Sequence, residues 1–214
     1  MSLDVGRPGL RGGDRATSLA VSALVIATAV AWVGIIWYPQ GMDLAGFLTS
    51  WTLMMAAMML PSIAPLVLLY RGSRAIMAAG YLLVWGIVGL IPYWAMEWSM
   101  SVEPGRAGVV LAAAGVYELT PLKTACLRHC QSPATFLLQR FLRPAFVLGV
   151  EHAIWCLGCC LGLMAVLVFA AAMDLRWAVV LAAVVFAQKV LPWGSRSALA
   201  VGALLIVAAV LVSV

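Results

Sequence analysis

The sequence has very little charge. Only 10% of its 214 residues are Asp, Glu, Lys or Arg, whereas 65% are hydrophobic and the mean hydropathy is +1.07. A soluble domain of this size cannot hide so much apolar surface from water. The composition therefore excludes an ordinary soluble protein and predicts an all-α, polytopic bundle of transmembrane helices.

Acidic residues are scarcer than basic ones, which leaves a formal net charge of +5. The Lys and Arg residues lie in the short gaps between apolar runs and form no single basic patch. Such a distribution is typical of topology signals in membrane proteins. The charge pattern therefore argues against a nucleic-acid partner, although the chain is basic.

The cysteines also lack the pattern of a disulfide-bonded secreted protein. The chain has five cysteines, an odd number, and four of them fall where we expect the cytoplasmic side or the middle of the membrane. Thiols on the cytoplasmic side stay reduced by default. The cysteines therefore do not suggest a secreted disulfide framework.

What the sequence does have is a series of long apolar runs. A polar tail at residues 1–17, expected to be flexible and cytoplasmic, precedes a single transmembrane domain at 18–214. Seven runs are predicted to be membrane spans, because a helix needs ~20 apolar residues to cross a bilayer. They cover residues 18–38, 44–70, 76–96, 107–127, 144–173, 177–190 and 197–214. The fourth is the least apolar, and its continuity through Pro121 stays open.

The basic residues also predict the orientation. With the tail inside, eleven of the thirteen Lys and Arg residues lie on or near the cytoplasmic side, and only Arg106 and Arg176 lie outside. This asymmetry favours seven spans with a cytoplasmic N-terminus.

The fifth run contains the densest group of metal-ligand residues. His152, Cys156, Cys159 and Cys160 fall within nine residues. On a helix, the first three point within about 60° of one another, and Cys160 adjoins that face. Thiols and imidazole suit soft or borderline metals, and thiols are also redox groups. The alternative is a packing seam, because glycines at positions 149, 158 and 162 would let another helix approach closely.

A second group is predicted at a similar depth in the fourth run. Cys126 and Cys130 are spaced i and i+4, so they share a helix face at the cytoplasmic end. Glu118 falls near the middle of the membrane, where a carboxylate is costly and marks a functional candidate. The alternatives are an ion pair between Glu118 and Lys123, and thiols that act only as small hydrophobic groups.

Four methionines in the second run form a stripe on one side of the predicted helix. They are Met54, Met55, Met58 and Met59. Neutral thioethers suit Cu(I), which predicts transient ligands along a path. The alternative is ordinary core packing, since methionine fills irregular apolar gaps.

Two further charged residues are expected to support the site. Glu151 lies inside the fifth run, next to His152. Lys189 ends the sixth run, which favours an interfacial role, and the alternative is a counter-charge to a buried carboxylate.

Four motifs together resemble a bacterial family of predicted metal-binding integral membrane proteins. They are W-x-x-M-x-x-A-M-M-x-P at 51–61, Y-x-x-x-P-x-K-x-x-C-L-x-x-C-x-x-P at 117–133, H-x-x-x-C-x-G-C-C-x-x-L-M at 152–164 and K-x-x-P at 189–192. The resemblance implies metal binding by a multi-spanning protein of the bacterial inner membrane. Two positions depart from the family pattern, which has glutamine in place of Glu118 and glutamate in place of Gln188.

Three functions remain open from the sequence. The leading hypothesis is Cu(I) handling, as transport or as delivery to another membrane protein, with zinc as the competing ion. In this hypothesis the chain is not an enzyme, and its partners are the lipid bilayer, the metal ion and a membrane protein or a second copy. The alternatives are a membrane thiol–disulfide or quinone-linked oxidoreductase, and a non-catalytic subunit of a membrane complex.

Overall fold

The structure is a computed structural model that describes residues 10–38, 43–98, 106–170 and 173–213. Within these residues the chain forms helices and no strand, which confirms the predicted all-α class. The helices are α1 (Leu10–Trp37), α2 (Leu44–Met59), α3 (Ala64–Leu69), α4 (Arg74–Val88), α5 (Leu90–Trp98), α6 (Arg106–Glu118), α7 (Pro121–Gln131), α8 (Pro133–Gln139), α9 (Ala145–Ala165), α10 (Leu175–Val190) and α11 (Gly194–Ser213), with a 3-10 turn at Pro61–Ile63 and a π-helical turn at Val166–Ala170.

Four stretches of helix in the described residues are long and apolar enough to cross a membrane. They are Thr17–Trp37, Arg74–Ala95, Ala145–Ala170 and Gly194–Ser213. Two bent pairs raise the number to six if each pair counts as one span. The remaining predicted span corresponds to α10, which has 16 residues and a length of about 24 Å.

The predicted tail is partly helical. Its residues 1–9 lie outside the described part of the chain, and α1 begins at Leu10. The apolar part of α1, Thr17–Trp37, agrees closely with the first predicted span.

Both bent pairs break at proline, which lacks the N–H of a helical hydrogen bond and clashes with the preceding turn. The chain turns by 42° at Pro61 and by 63° at Pro121. At the second bend, Thr120 starts α7 by accepting a hydrogen bond from the backbone N–H of Lys123 at 3.3 Å. The fourth predicted span is therefore not one continuous helix.

Helix α9 lies at the centre of the bundle and packs against α4, α6 and α7. Helices α9 and α4 cross so closely that a glycine of each contacts the backbone of the other helix. A Cβ on Gly149 would overlap the carbonyl oxygen of Met77, and one on Gly80 would overlap that of Phe146. Small residues of this kind let helix backbones approach. The crossing brings α4 side chains to the cysteine face of α9.

Gly149→Ala is expected to destabilise the protein by about 1–3 kcal/mol, because the added methyl group meets backbone that cannot yield. The measurement is denaturant unfolding of the purified chain in detergent. Gly86→Ala in α4 is the matched control, since its Cβ would meet only the Thr52 hydroxyl at 3.4 Å. An equal loss of stability in both variants would contradict the importance of this crossing.

Candidate metal centre

Three cysteines of α9 form a compact group in the interior. The Sγ atoms of Cys156, Cys159 and Cys160 all lie within 4.8 Å of one another. The three residues are at most 1% exposed, and all three are free thiols. Their spacing of i, i+3 and i+4 places them on one face of the helix, as the sequence predicts.

Hydrogen bonds hold the group together. The Cys159 thiol donates to the backbone carbonyl of Cys156 at 3.1 Å, and its sulfur lies 3.7 Å from that of Cys160. The Cys159 sulfur also lies 3.6 Å from Cys130 Sγ in α7. The cysteine group therefore extends across two helices.

Two side chains from other helices converge on the Cys156 sulfur. Lys189 Nζ of α10 donates to it at 2.7 Å, and the Tyr81 hydroxyl of α4 lies 2.8 Å from it. Lys189 also donates to Ser62 Oγ at 3.3 Å and to Met59 Sδ at 3.8 Å. The sequence suggested an interface role for Lys189, or a carboxylate partner. In the structure its partners are a thiol, a hydroxyl and a thioether.

Sequence reasoning missed Tyr81 and Ser62. Tyr81 is 1% exposed inside an apolar helix, and a phenol in that position normally needs a hydrogen-bond partner. The sequence could therefore have indicated that Tyr81 needs a partner. It could not have identified that partner as Cys156. Ser62 follows Pro61, and its hydroxyl donates to the Met59 carbonyl at 2.8 Å, which leaves its lone pairs for Lys189.

His152 lies one turn before Cys156 and is not a member of the compact group. It is 2% exposed, and its ring lies 5.3 Å from that of Phe136 and 6.1 Å from that of Tyr81. Its Nδ1 atom is buried and has no hydrogen-bond partner. A buried polar atom without a partner is uncommon and calls for an explanation such as an unseen ligand.

The two cysteines of α7 have different surroundings. Cys130 contacts Cys159, as described above. Cys126 packs against Gly158 of α9, where an added Cβ would lie 2.6 Å from its sulfur. Both residues are buried, with Cys126 6% and Cys130 8% exposed. Of the predicted pair, Cys130 makes the direct contact with the three-cysteine group.

The methionine stripe is buried in the hydrophobic core. Its members, Met54, Met55, Met58 and Met59, are each at most 3% exposed. Met59 contributes its sulfur to the surroundings of Lys189. The arrangement satisfies the packing interpretation, and Met59 links the stripe to the cysteine group.

Glu118, Lys123 and Gln188 form a closed ring of hydrogen bonds. Lys123 Nζ donates to Glu118 Oε1 at 2.7 Å and to Gln188 Oε1 at 2.8 Å, and Gln188 Nε2 donates to Glu118 Oε2 at 3.0 Å. The Glu118 and Lys123 side chains are fully buried. The ion pair considered from the sequence is therefore present.

Glu151 takes no part in the cysteine group. Its carboxylate accepts from Arg140 Nε at 2.5 Å and lies 3.7 Å from Arg143 Nη1. Its side chain is 25% exposed. These contacts place Glu151 in an ion-pair cluster near the start of α9. They do not support the role beside the metal site that the sequence suggested.

No curated protein and no solved structure matched the chain. A family model described as "PpoB2: Copper chaperone" matches residues 48–212, which contain all five cysteines, the methionine stripe and Lys189. Because this match covers most of the 214 residues, the chain belongs to the PpoB2 copper chaperone family.

Proposed function

We propose that this protein is an integral membrane copper chaperone that holds Cu(I) on Cys156, Cys159 and Cys160 and delivers it to another membrane protein. One observation carries the proposal. Three free thiols lie within 4.8 Å of one another in the interior of a chain that belongs to a copper chaperone family. Soft thiolate ligands of this kind favour Cu(I).

The other potential metal-ligand atoms in the interior also suit Cu(I). The orphaned Nδ1 atom of His152 offers a neutral nitrogen one turn away from Cys156. The two nearby carboxylates are already committed, Glu118 to Lys123 and Gln188, and Glu151 to Arg140. The available ligands are therefore sulfur and imidazole nitrogen. Zinc shares this preference and is the competing ion.

Placement in the bacterial inner membrane is part of the proposal. Four apolar helical stretches and two bent pairs support it, as do large exposed hydrophobic residues such as Leu204 and Val210 on α11. The distribution of Lys and Arg supports seven spans with a cytoplasmic N-terminus. The cysteine group then lies at the middle of the membrane and toward the cytoplasmic side.

Cys130 is the proposed transfer ligand. Its sulfur lies 3.6 Å from that of Cys159, so one Cu(I) ion can be shared between them before it moves. Exchange between thiolates in this way changes no oxidation state and leaves the other ligands in place. The methionine sulfurs are proposed as weak ligands farther along the path, and that of Met59 contacts Lys189 Nζ at 3.8 Å. Several weak sites let an ion leave as well as enter.

Metal analysis tests the proposed function. The full chain is purified anaerobically in detergent, loaded with Cu(I) and analysed for bound copper and zinc. About one Cu(I) per chain is expected, lost when Cys156, Cys159 and Cys160 are all changed to serine. A wild-type protein that retains no copper after loading would overturn the proposal.

Cys130→Ser is expected to slow copper release more than it changes affinity. Cu(I) transfer to a soluble chelating dye should slow by about tenfold, equivalent to ~1.4 kcal/mol of barrier. The equilibrium occupancy should stay close to that of the unaltered protein, because the three-cysteine group is intact. Stopped-flow absorbance measures the rate.

Cys126→Ser is the matched control for this experiment, because Cys126 lies on the same helix but packs against Gly158. Its transfer rate should match that of the unaltered protein. If both serine variants slow transfer equally, Cys130 has no special role in release.

A thiol oxidoreductase is the second candidate, and the same Cys130–Cys159 distance of 3.6 Å favours it. In that reaction the two thiols would form a disulfide and pass two electrons and two protons to a quinone, which becomes a quinol. The expected sign is a thiol count that falls by two on quinone exposure without metal. A count that stays at five would exclude this candidate.

A further inference from the structure

A polar cavity of about 190 Å³ lies where α7 meets α8. Its lining includes a guanidinium, an imidazole, two hydroxyls and an amide, which are groups that bind polar ligands. Two other cavities, beside Trp85 and beside Trp32, have almost entirely apolar linings. The polar cavity is lined by Arg128, His129, Ser132, Thr135, Phe136 and Gln139.

His129 is held in one orientation in the wall of this cavity. Its ring stacks on that of Trp155, with the centroids 3.9 Å apart and the planes 1° from parallel. Its Nδ1 atom lies 3.0 Å from the backbone carbonyl oxygen of Ala125. Because a carbonyl only accepts, Nδ1 donates this bond, and in the neutral ring Nε2 keeps its lone pair. Metal-binding histidines commonly use such a bond to fix the tautomer.

Arg128 gives the same cavity a permanent positive charge, since a guanidinium stays protonated in proteins. Within the described part of the chain it forms no ion pair, because the ion-paired carboxylates bind Lys123, Arg140 and Arg143. An uncompensated positive charge in a cleft repels a bare cation and attracts an anion.

Two contacts connect the cavity with the three-cysteine group. Cys130 follows His129 directly in α7, and its sulfur lies 3.6 Å from Cys159 Sγ. Phe136 in the cavity wall is 2% exposed, and its ring packs edge-on against that of His152 at 5.3 Å. An ion at His129 is therefore one residue away from the proposed transfer ligand.

The charge at the cavity indicates the form in which copper arrives. The predicted orientation places α7 and α8 on the cytoplasmic side, where thiols stay reduced. Cu(I) prefers soft thiolate ligands. With two or more thiolates it forms a complex of net negative charge. Such an anionic complex, and not the bare ion, matches a cavity that contains Arg128.

We propose that this cavity is a loading site that receives Cu(I) as an anionic complex with a small thiol. Arg128 binds the negative charge of the complex, and His129 Nε2 becomes the first protein ligand. One Cu–S bond breaks, one Cu–N bond forms, the thiolate leaves with its electron pair, and copper stays Cu(I). The inference rests on the proposed function, because it adds an entrance to the same thiol site.

Loading from two copper sources tests both roles. Cu(I) is supplied anaerobically to the full chain in detergent, either as its anionic glutathione complex or as its cationic acetonitrile complex. Arg128→Gln should load about tenfold more slowly from the anionic source, at the lower end of electrostatic steering effects, and at the unaltered rate from the cationic source. His129→Phe keeps a ring beside Trp155 but has no nitrogen, so it should load at least about tenfold more slowly from both sources. Desalting at set times, followed by elemental analysis, gives the rates.

Two control variants separate charge from other effects. Arg128→Lys keeps the positive charge and should load from both sources at close to the unaltered rate. Arg143→Gln removes a charge from the same loop, but Arg143 lies near Glu151 and outside the cavity lining, so its rates should also stay close to the unaltered ones. Final copper occupancy should be the same in every variant, because the three-cysteine group is intact.

Each outcome has a separate meaning. A loss confined to the anionic source in Arg128→Gln, together with slow loading from both sources in His129→Phe, supports the inference. Unaltered loading in either variant, or an equal loss from both sources in Arg128→Gln, overturns the inference and leaves the proposed function standing. Failure of the unaltered protein to bind Cu(I) from either source overturns both.

Discussion

Changing Cys156 to serine is expected to lower Cu(I) affinity by about 1000-fold, beyond the roughly 10–100-fold that follows loss of a residue that only supports a metal ligand. Cys156 is fully buried, and its sulfur is the point at which three helices meet. Serine keeps the size and the hydrogen bonds to Tyr81 and Lys189. It replaces a soft sulfur with a hard oxygen, which Cu(I) binds poorly.

Anaerobic competition with a Cu(I) chelator of known affinity measures the change. Cys126→Ser is the control, since it alters the same residue type in a buried position outside the three-cysteine group. Its affinity should change by less than about tenfold, the lower end of the effect expected for a supporting residue. Equal losses in the two variants would mean that the compact group is not the binding site.

The all-α class followed from composition, because a helix of about 20 apolar residues satisfies all its backbone groups internally. Long apolar helices were also predictable where the apolar run was unbroken, as in α9 and α11. The bends were harder to predict. Pro61 and Pro121 marked where a helix could break, but the angles of 42° and 63° depend on the neighbours that re-satisfy the backbone.

Part of the candidate site was predictable because it is local. The spacing of Cys156, Cys159 and Cys160 determines their shared face on any helix. The contacts of Tyr81 and Lys189 with Cys156 depend on how α4 and α10 pack against α9, and periodicity contains no such information. The predicted depth in the membrane brought Cys126 and Cys130 near the cysteines of α9. It could not show which of the two makes the contact. That distinction depends on the rotation of α7.

In the buried ring, Lys123 lies between an acid, Glu118, and an amide, Gln188. Both side chains contact the same ammonium, since Lys123 Nζ lies 2.7 Å from Glu118 Oε1 and 2.8 Å from Gln188 Oε1. Exchanging acid and amide across Lys123 therefore keeps one carboxylate, one amide and zero net charge in the ring.

Lys123→Met is accordingly expected to destabilise the protein by about 3–5 kcal/mol, the cost of leaving one partner of a buried ion pair uncompensated. The Lys123 and Glu118 side chains are both fully buried, so water cannot replace the lost ammonium. The double variant Glu118→Gln, Gln188→Glu should stay within about 1 kcal/mol of the unaltered protein, because the carboxylate stays beside Lys123.

Denaturant unfolding in detergent, followed by helical circular dichroism, gives the free energy of unfolding for each variant. Adding Glu118→Gln to Lys123→Met should recover most of the lost stability, since it removes the unpaired charge and a neutral replacement of a buried ion pair is often well tolerated. If that pair of changes is as unstable as Lys123→Met alone, packing and not charge governs this position. The recovery thus separates the electrostatic role of the ring from its shape.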